Sequence, residues 1–252
     1  MEQPDARNTR LPLDPVYKSP RFPRMSFSEQ PSIQAARDRA GLCRVLDLIL
    51  RRPDLTSAEL QSGCAAAQAL NLAGVCVASS RLLQAATLLE DSTVRIICSI
   101  GAAAMDSDVK RYETEVAVDA GAHIIELTPN LGRLRDGENA LVLRELRDVV
   151  EAADERPVRV LLPIEIFAAL GSDCLSFLTE DSGVGGLVLV CSGPGPGPAD
   201  AETVKRARES LNERLSVKLD SAGLAWAQVV SLHAAGADRF ATVLGAEVLQ
   251  EP

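Results

Sequence analysis

One punctuation mark recurs along this chain and constrains its fold more than any other feature. A helical pattern closes on an Ala-Gly pair and an apolar run begins at once. It stands as Leu72-Ala73-Gly74-Val75-Cys76-Val77, as Asp119-Ala120-Gly121-Ala122-His123-Ile124-Ile125, and as Ala235-Gly236-Ala237-Asp238-Arg239-Phe240. Glycine just past a helix end supplies the left-handed residue that closes the helix and turns the chain into a strand. Apolar runs of this kind predict strands over 43–49, 74–78, 94–100, 122–128, 157–163, 185–191, 215–219 and 238–243. They are short, rich in Val, Ile and Leu, and mostly not alternating. Strands buried on both faces of a parallel sheet read this way.

Helical patterns fill the gaps. Thr56-Ser57-Ala58-Glu59 is a capping box that opens a helix toward Leu70. Asp106-Ser107 precedes a helix to Ala120, and Asp136 precedes one to Ala153. Pro198 suits the first turn of a helix through Asn212. Strands and helices alternating about eight times over roughly 220 residues suit a closed α/β fold, a single (β/α)8 TIM barrel. The other arrangement is an open doubly wound sheet, which wants a glycine-rich phosphate loop after its first strand. The stretch from Asp47 to Pro53 is nothing like one.

Residues 1–30 differ from the rest. Up to Pro31 the chain holds six of its 14 prolines and no glycine, with neither helical nor strand periodicity. This segment reads as an extended Pro-rich N-terminal arm: a loose tail, a cover for the barrel, or a contact to a second copy in a homodimer. Residues 31–252 form the barrel domain. Hydrophobic residues make up 46% and charged residues 24%, the balance of a globular chain. A net charge of −9 argues against nucleic acid or an anionic membrane as partner. No apolar run is long enough for a span or a leader, so a cytoplasmic protein is expected. The six cysteines show no metal-type spacing and only two histidines are present, so neither a metal nor a cofactor is expected.

In such a barrel, function sits where strands end and βα loops begin. The polar or thiol residues there are Asp47, Cys98, Ser99, Glu126, Thr128, Asn130, Glu165, Cys191, Ser192, Lys218, Asp220 and Thr242. Two stand out. Glu126 and Lys218 lie inside apolar runs on the fourth and seventh strands, where a lone charge costs several kcal/mol unless paired. They can meet across the lumen as a satisfied ion pair, point outward to the helices, or serve carbonyl chemistry as a tuned amine and carboxylate. A thiol such as Cys76 or Cys191 is a weaker candidate nucleophile, since cysteines in apolar strands are usually inert packing.

Taken in order, several fragments resemble the deoxyribose-phosphate aldolase family, class I aldolases on a (β/α)8 barrel. Leu46-Asp47-Leu-Ile-Leu-Arg-Arg-Pro53-Asp54-Leu55-Thr56 resembles its I-D-H-T-x-L-K-P-x-A-T. Gly74-Val75-Cys76-Val77 is its G-V-C-V, and the stretch from Gly121 to Gly132 resembles G-A-D-E-I-D-M-V-I-N-x-G. Val217-Lys218 is similar to the V-K of V-K-A-S-G-G-I, and Arg239 to Gly245 to R-I-G-T-S-S-G.

The departures bear on function. The family forms its imine with the lysine of F-V-K-T-S-T-G, and there this chain reads Leu187-Val188-Leu189-Val190-Cys191-Ser192-Gly193, with Leu189 in the lysine's place. The family's proton-shuttling aspartate is Glu126, and its second lysine is kept as Lys218. Its phosphate-binding serine pair has become Val243-Leu244, and Asp220 adds negative charge there. The stretch Gly193-Pro-Gly-Pro-Gly-Pro198 is a stiff connection. The resemblance therefore implies an aldolase scaffold turned to an unphosphorylated carbonyl substrate, for aldol or retro-aldol, cyclisation or dehydration chemistry. Lys218 and Glu126 are the catalytic candidates. Asp47, Cys76, Cys98, Thr128, Asn130, Glu165, Leu189, Cys191, Ser192, Asp220 and Thr242 are the substrate-binding candidates. A catalytically inactive binding protein is the alternative.

Overall fold

A computed structural model describes residues 39–170, 175, 181–191 and 201–243. The arm of residues 1–30, Ser192, the 193–198 connection and Leu244 lie outside the described residues. Eight parallel strands close into a barrel in sequence order, each hydrogen-bonded to the next and β8 to β1. They are β1 Leu46–Leu50, β2 Gly74–Ala78, β3 Arg95–Ile100, β4 Ile124–Leu127, β5 Val158–Pro163, β6 Gly186–Val190, β7 Ser216–Asp220 and β8 Arg239–Thr242. Every predicted strand is present. The first starts later than expected because a short helix, α1 Arg39–Cys43, and a turn precede it.

Two of the helices between them begin at the caps that the sequence signals. Thr56 caps α2 Ser57–Ala69, and Glu59 returns the bond to the Thr56 backbone, closing the capping box. Asp106 caps α4 Ser107–Asp119. Between them lies α3 Leu82–Leu88. The expected helix after Asp136 is α6 Asn139–Ala152, preceded by a short unanticipated helix, α5 Leu131–Arg135. Beyond it come α7 Ile164–Leu170, α8 Ala201–Glu209 and α9 Trp226–Ala234.

Two of the three Ala-Gly pairs work as expected, with Gly121 at φ 99° and Gly236 at φ 110°. At the third the left-handed residue is Asn71, at φ 51°, and Gly74 is already the first residue of β2. Its glycine is required by space. A Cβ there would lie 2.9 Å from the Arg95 carbonyl and 3.0 Å from Asp47 Oδ1. Leaving it out makes room in the lumen for the Asp47 carboxylate.

Register divides each strand into two faces, because paired residues of parallel strands share a side and neighbours along a strand alternate. Leu187, Leu189, Val217, Leu219 and Phe240 belong with Leu46, Leu48 and Val75 to one continuous apolar core between barrel and helices. The other face points into the lumen. There a small apolar cluster of Cys76, Ile97, Ile124 and Ala241 packs beside charged side chains.

Candidate active site

Lys218 is the third of five residues in β7, with Val217 and Leu219 turned to the helices. Its side chain crosses the lumen and is wholly buried. The ammonium donates to Glu126 Oε1 on β4 at 2.7 Å and to Cys76 Sγ on β2 at 3.2 Å. Asp47 Oδ2 on β1 and Asp220 Oδ1 on β7 each stand 3.3 Å from it. One cation thus sits where three carboxylates converge.

Each carboxylate has a second cation. The Arg239 guanidinium on β8 donates to Asp47 Oδ1, Arg51 donates to Asp220 Oδ2 at 2.6 Å, and Arg159 on β5 stands 3.5 Å from Glu126 Oε1. The β4–β5 register puts Glu126 directly opposite Arg159, and the β7–β8 register puts Lys218 opposite Arg239. Buried charges persist only when paired in this way.

The electrostatics follow from these contacts. Burial works against the Lys218 charge, but Asp220, Glu126 and Asp47 outweigh it and hold the ammonium well above its usual range. Burial likewise opposes ionisation of Asp47 and Asp220. Arg239 and Lys218 for the first, and Lys218 and Arg51 for the second, bring both below the usual carboxylate range. Burial pushes the Cys76 thiol far up, so Lys218 faces a protonated sulfur. The lumen can therefore present a fixed positive donor with carboxylates beside it.

The structure brings Asp47, Cys76, Glu126, Lys218 and Asp220 together, and leaves several other candidates apart. Leu189 pairs with Leu162 and Leu219 and lies in the helix-facing core, so the expectation that it lines the lumen is corrected. The lumenal residue of β6 beside Lys218 is Val188. With Gly186–Val190 reading Gly-Leu-Val-Leu-Val, this strand offers no amine on either face. Cys98 and Cys191 also belong to the outer core, and Thr242 shares the outer face with Leu48. Asn130 caps α5 through Arg133 N, and Glu165 is exposed on α7.

Thr128 is half-buried, and its carbonyl accepts from Lys110 at 2.8 Å. Lys110 also pairs with Glu145 at 3.0 Å, and Glu145 accepts from Asn130 N at 2.9 Å. This second buried ion pair ties α4 and α6 to the loop that follows Glu126.

Arg51, Arg159 and Arg239 are absent from the sequence-based candidates. Arg159 nevertheless carries the signal that marked Glu126, a charge between two buried apolar neighbours, Val158 and Val160. Among the described residues no helix is long and apolar enough to cross a membrane, and no group of three or more His, Cys, Asp or Glu is arranged to hold a metal ion.

No protein-family model matches the chain. Curated relatives do. It is 29% identical over 211 residues to a deoxyribose-phosphate aldolase of Bdellovibrio bacteriovorus, covering 83% of this chain and 96% of that one. It is 27% identical over 215 residues to one of Carboxydothermus hydrogenoformans, covering 83% and 94%. The tetrameric deoxyribose phosphate aldolase of Aeropyrum pernix superposes with a TM-score of 0.71 at 20% identity, over 86% of this chain and 95% of that one. A dihydrodipicolinate synthase of Agrobacterium tumefaciens shares the barrel with a TM-score of 0.61 at 16% identity, over 82% and 72%. Sequence relatives matched over more than nine-tenths of their own length, the ordered motifs and a closed eight-stranded barrel together make this chain similar to the deoxyribose-phosphate aldolases.

Proposed function

We propose that this protein is an enzyme of aldol type acting on an unphosphorylated carbonyl compound, in a biosynthetic role of the secondary-metabolic kind. Lys218 acts as a charged electrophile and Glu126 as the proton carrier. The observation that carries this reading is the 2.7 Å contact between Lys218 Nζ and Glu126 Oε1 inside the barrel. A substrate carbonyl oxygen that takes one of the ammonium's hydrogen bonds is polarised, and negative charge developing on it is stabilised in a site shut off from water. In the retro-aldol direction a carboxylate takes the hydroxyl proton and the carbon–carbon bond breaks. The electron pair passes to an enolate held by Lys218, and the proton returns to carbon. An imine route requires a neutral amine, and the surrounding carboxylates disfavour that form.

Deoxyribose 5-phosphate fits this site poorly. Strand β6 has no lysine and Asp220 stands at the end of β7. Released acetaldehyde in a coupled assay should stay below about one-tenth of the rate of an ordinary family member, roughly 1.4 kcal/mol or more in barrier.

The general test is exchange of α-protons of acetone, acetaldehyde and pyruvate in D2O, followed by NMR. The wild type should accelerate exchange and Lys218→Ala should not. Lys218→Arg should retain a weak rate, and borohydride should leave no adduct on Lys218. A second reading, a non-catalytic binding protein, draws on the complete burial of Lys218. Exchange no faster with the wild type than with buffer would favour it.

A further inference from the structure

We propose that Arg51 receives a carboxylate of the substrate, so that the carbonyl compound is a short oxo acid. Carboxylate binding at Arg51 follows from its own geometry, and only turnover of the bound acid rests on the reaction proposed above.

Arg51 follows Leu50 at the C-terminal end of β1, the end of the barrel where the loops open. One terminal nitrogen donates to Asp220 Oδ2 at 2.6 Å, which anchors the guanidinium against the last residue of β7, two strands away across β8. The other terminal nitrogen is buried and has no hydrogen-bond partner among the described residues. The side chain is still 20% exposed, so the group is enclosed yet reachable. An unsatisfied N–H of a charged group costs free energy that an arriving acceptor recovers. A planar guanidinium held by one carboxylate keeps further N–H groups, in fixed geometry, for a second.

Charge selects what that second group is. Among the described residues Arg51, Arg159, Lys218 and Arg239 face Asp47, Glu126 and Asp220, four cations against three anions in one largely buried cluster. Among the described residues, Arg159 Nε and NH1, Arg239 Nε and Arg51 NH1 make no hydrogen bond, and neither do Asp47 Oδ2, Glu126 Oε2 and Asp220 Oδ1, so the cluster has both donors and acceptors to spare. One negative charge evens the cluster, which a carboxylate supplies. A phosphate monoester brings about −1.5 to −2 and would overfill it beside Asp220. Asp220 also fixes the size of the ligand. Its two oxygens serve Arg51 at 2.6 Å and Lys218 at 3.3 Å, so the two cations share one carboxylate. A ligand that gives its carboxylate to Arg51 and its carbonyl to Lys218 must carry those groups close together, as an oxo acid does. The two residues of the bridge also depart together from the resembled motifs, Arg51 at the L of L-K-P and Asp220 at the S of V-K-A-S.

The test is calorimetric titration of the full-length protein with pyruvate, acetone and inorganic phosphate. Pyruvate should bind at least about tenfold more tightly than either of the others, the step expected from one charge-assisted hydrogen-bonding contact. Arg51→Leu should erase that preference, and Arg51→Lys should keep part of it. Arg51→Leu leaves Asp220 with Lys218 alone, so Arg51→Leu/Asp220→Asn, which removes both charges, is titrated beside it with circular dichroism as the check on folding. It should show no preference either. Pyruvate binding no better than acetone, phosphate binding as tightly as pyruvate, or a folded Arg51→Leu protein with wild-type pyruvate affinity would each overturn the assignment. Intact pyruvate binding without α-proton exchange would sink the proposed reaction and leave the carboxylate site standing. Exchange on ketones without any preference for pyruvate would do the reverse.

Discussion

The two faces of the barrel strands are built on opposite rules. The outer face is apolar from β1 to β7, with Leu46, Leu48, Val75, Val77, Ile96, Ile125, Val160, Leu187 and Leu219 packed against helices. The inner face carries Asp47, Glu126, Arg159, Lys218, Asp220 and Arg239, all buried. Each outer Leu or Ile contributes about 1.5–3 kcal/mol by leaving water. The inner ions must first be stripped of water, and their mutual attraction only offsets that loss. An apolar filling of the same volume is often neutral or more stable by about 1–4 kcal/mol. The outer face therefore accounts for the fold. The inner face costs stability that a purely structural barrel could avoid, a cost that the proposed reaction would account for.

The largest effect should come from removing the cation at the centre. Lys218→Ala leaves Asp47, Glu126 and Asp220 facing one another. Breaking a buried pair in this way should lower stability by about 3–5 kcal/mol, read from urea unfolding. Loss of the donor should cost about 100- to 1000-fold in α-proton exchange. Lys218→Met separates the two effects, because it keeps the side-chain volume and should recover the packing share of that loss while exchange stays lost. Full activity in folded Lys218→Ala would end the site assignment.

The next comparison exchanges the faces. Leu189 is wholly buried among outer-core residues, so Leu189→Ala should cost about 2–5 kcal/mol in stability and leave exchange within about twofold of wild type. A fall in exchange with stability intact would return Leu189 to the lumen.

This residue also shows where the sequence stops being legible. The eight strands, the Thr56 and Asp106 caps and the charges of Glu126 and Lys218 could be read because each depends on local pattern. Facing depends on register, and register is set by the partner strand. A shift of one residue moves a side chain to the other face. Motif order alone put Leu189 at the lysine position, whereas pairing with β7 puts Val188 beside Lys218. Arg51 and Arg239 were hidden for a related reason. Both stand at strand ends, where arginine is ordinarily solvated, and only the closed sheet turns them onto Asp220 and Asp47.

Acid should act first at His123, just ahead of β4, and only later on the lumenal carboxylates. The His123 Nδ1 accepts the Ile96 N–H at 2.9 Å, and burial, with Arg95 and Arg156 nearby, lowers its pKa to about 4. The unfolded ring titrates near pH 6.5, so the folded protein binds fewer protons between those values. Stability is full above about pH 6.5 and should fall by about 1–3 kcal/mol as the pH drops toward 4. His123→Gln should flatten that slope in urea melts. Asp47 and Asp220 have depressed values, so their contribution is present above their ordinary range and is lost only below it, in a second step. Lys218 has a raised value, and its contribution is lost only at the alkaline end. A single acid transition unchanged in His123→Gln would refute the ordering.

The smallest effects come from two cysteines that differ in little except the side they face. Cys76 points inward to Lys218, and Cys98, on the neighbouring strand, belongs to the outer core. Burial raises both thiols, Cys98 to about 12, so neither should react with iodoacetamide in the native protein. Removing either sulfur should cost about 1 kcal/mol in packing. Their consequences should then diverge. Cys98→Ala changes nothing at the site, and exchange should match wild type. Cys76→Ala takes away an acceptor 3.2 Å from the ammonium, so Lys218 shifts its bonds toward the carboxylates and gives less to a substrate oxygen. Exchange should slow by about two- to tenfold, the equivalent of one neutral hydrogen bond. Equal rates in the two variants would mean that the thiol beside Lys218 is packing and nothing more, leaving the carboxylates alone to position the ammonium.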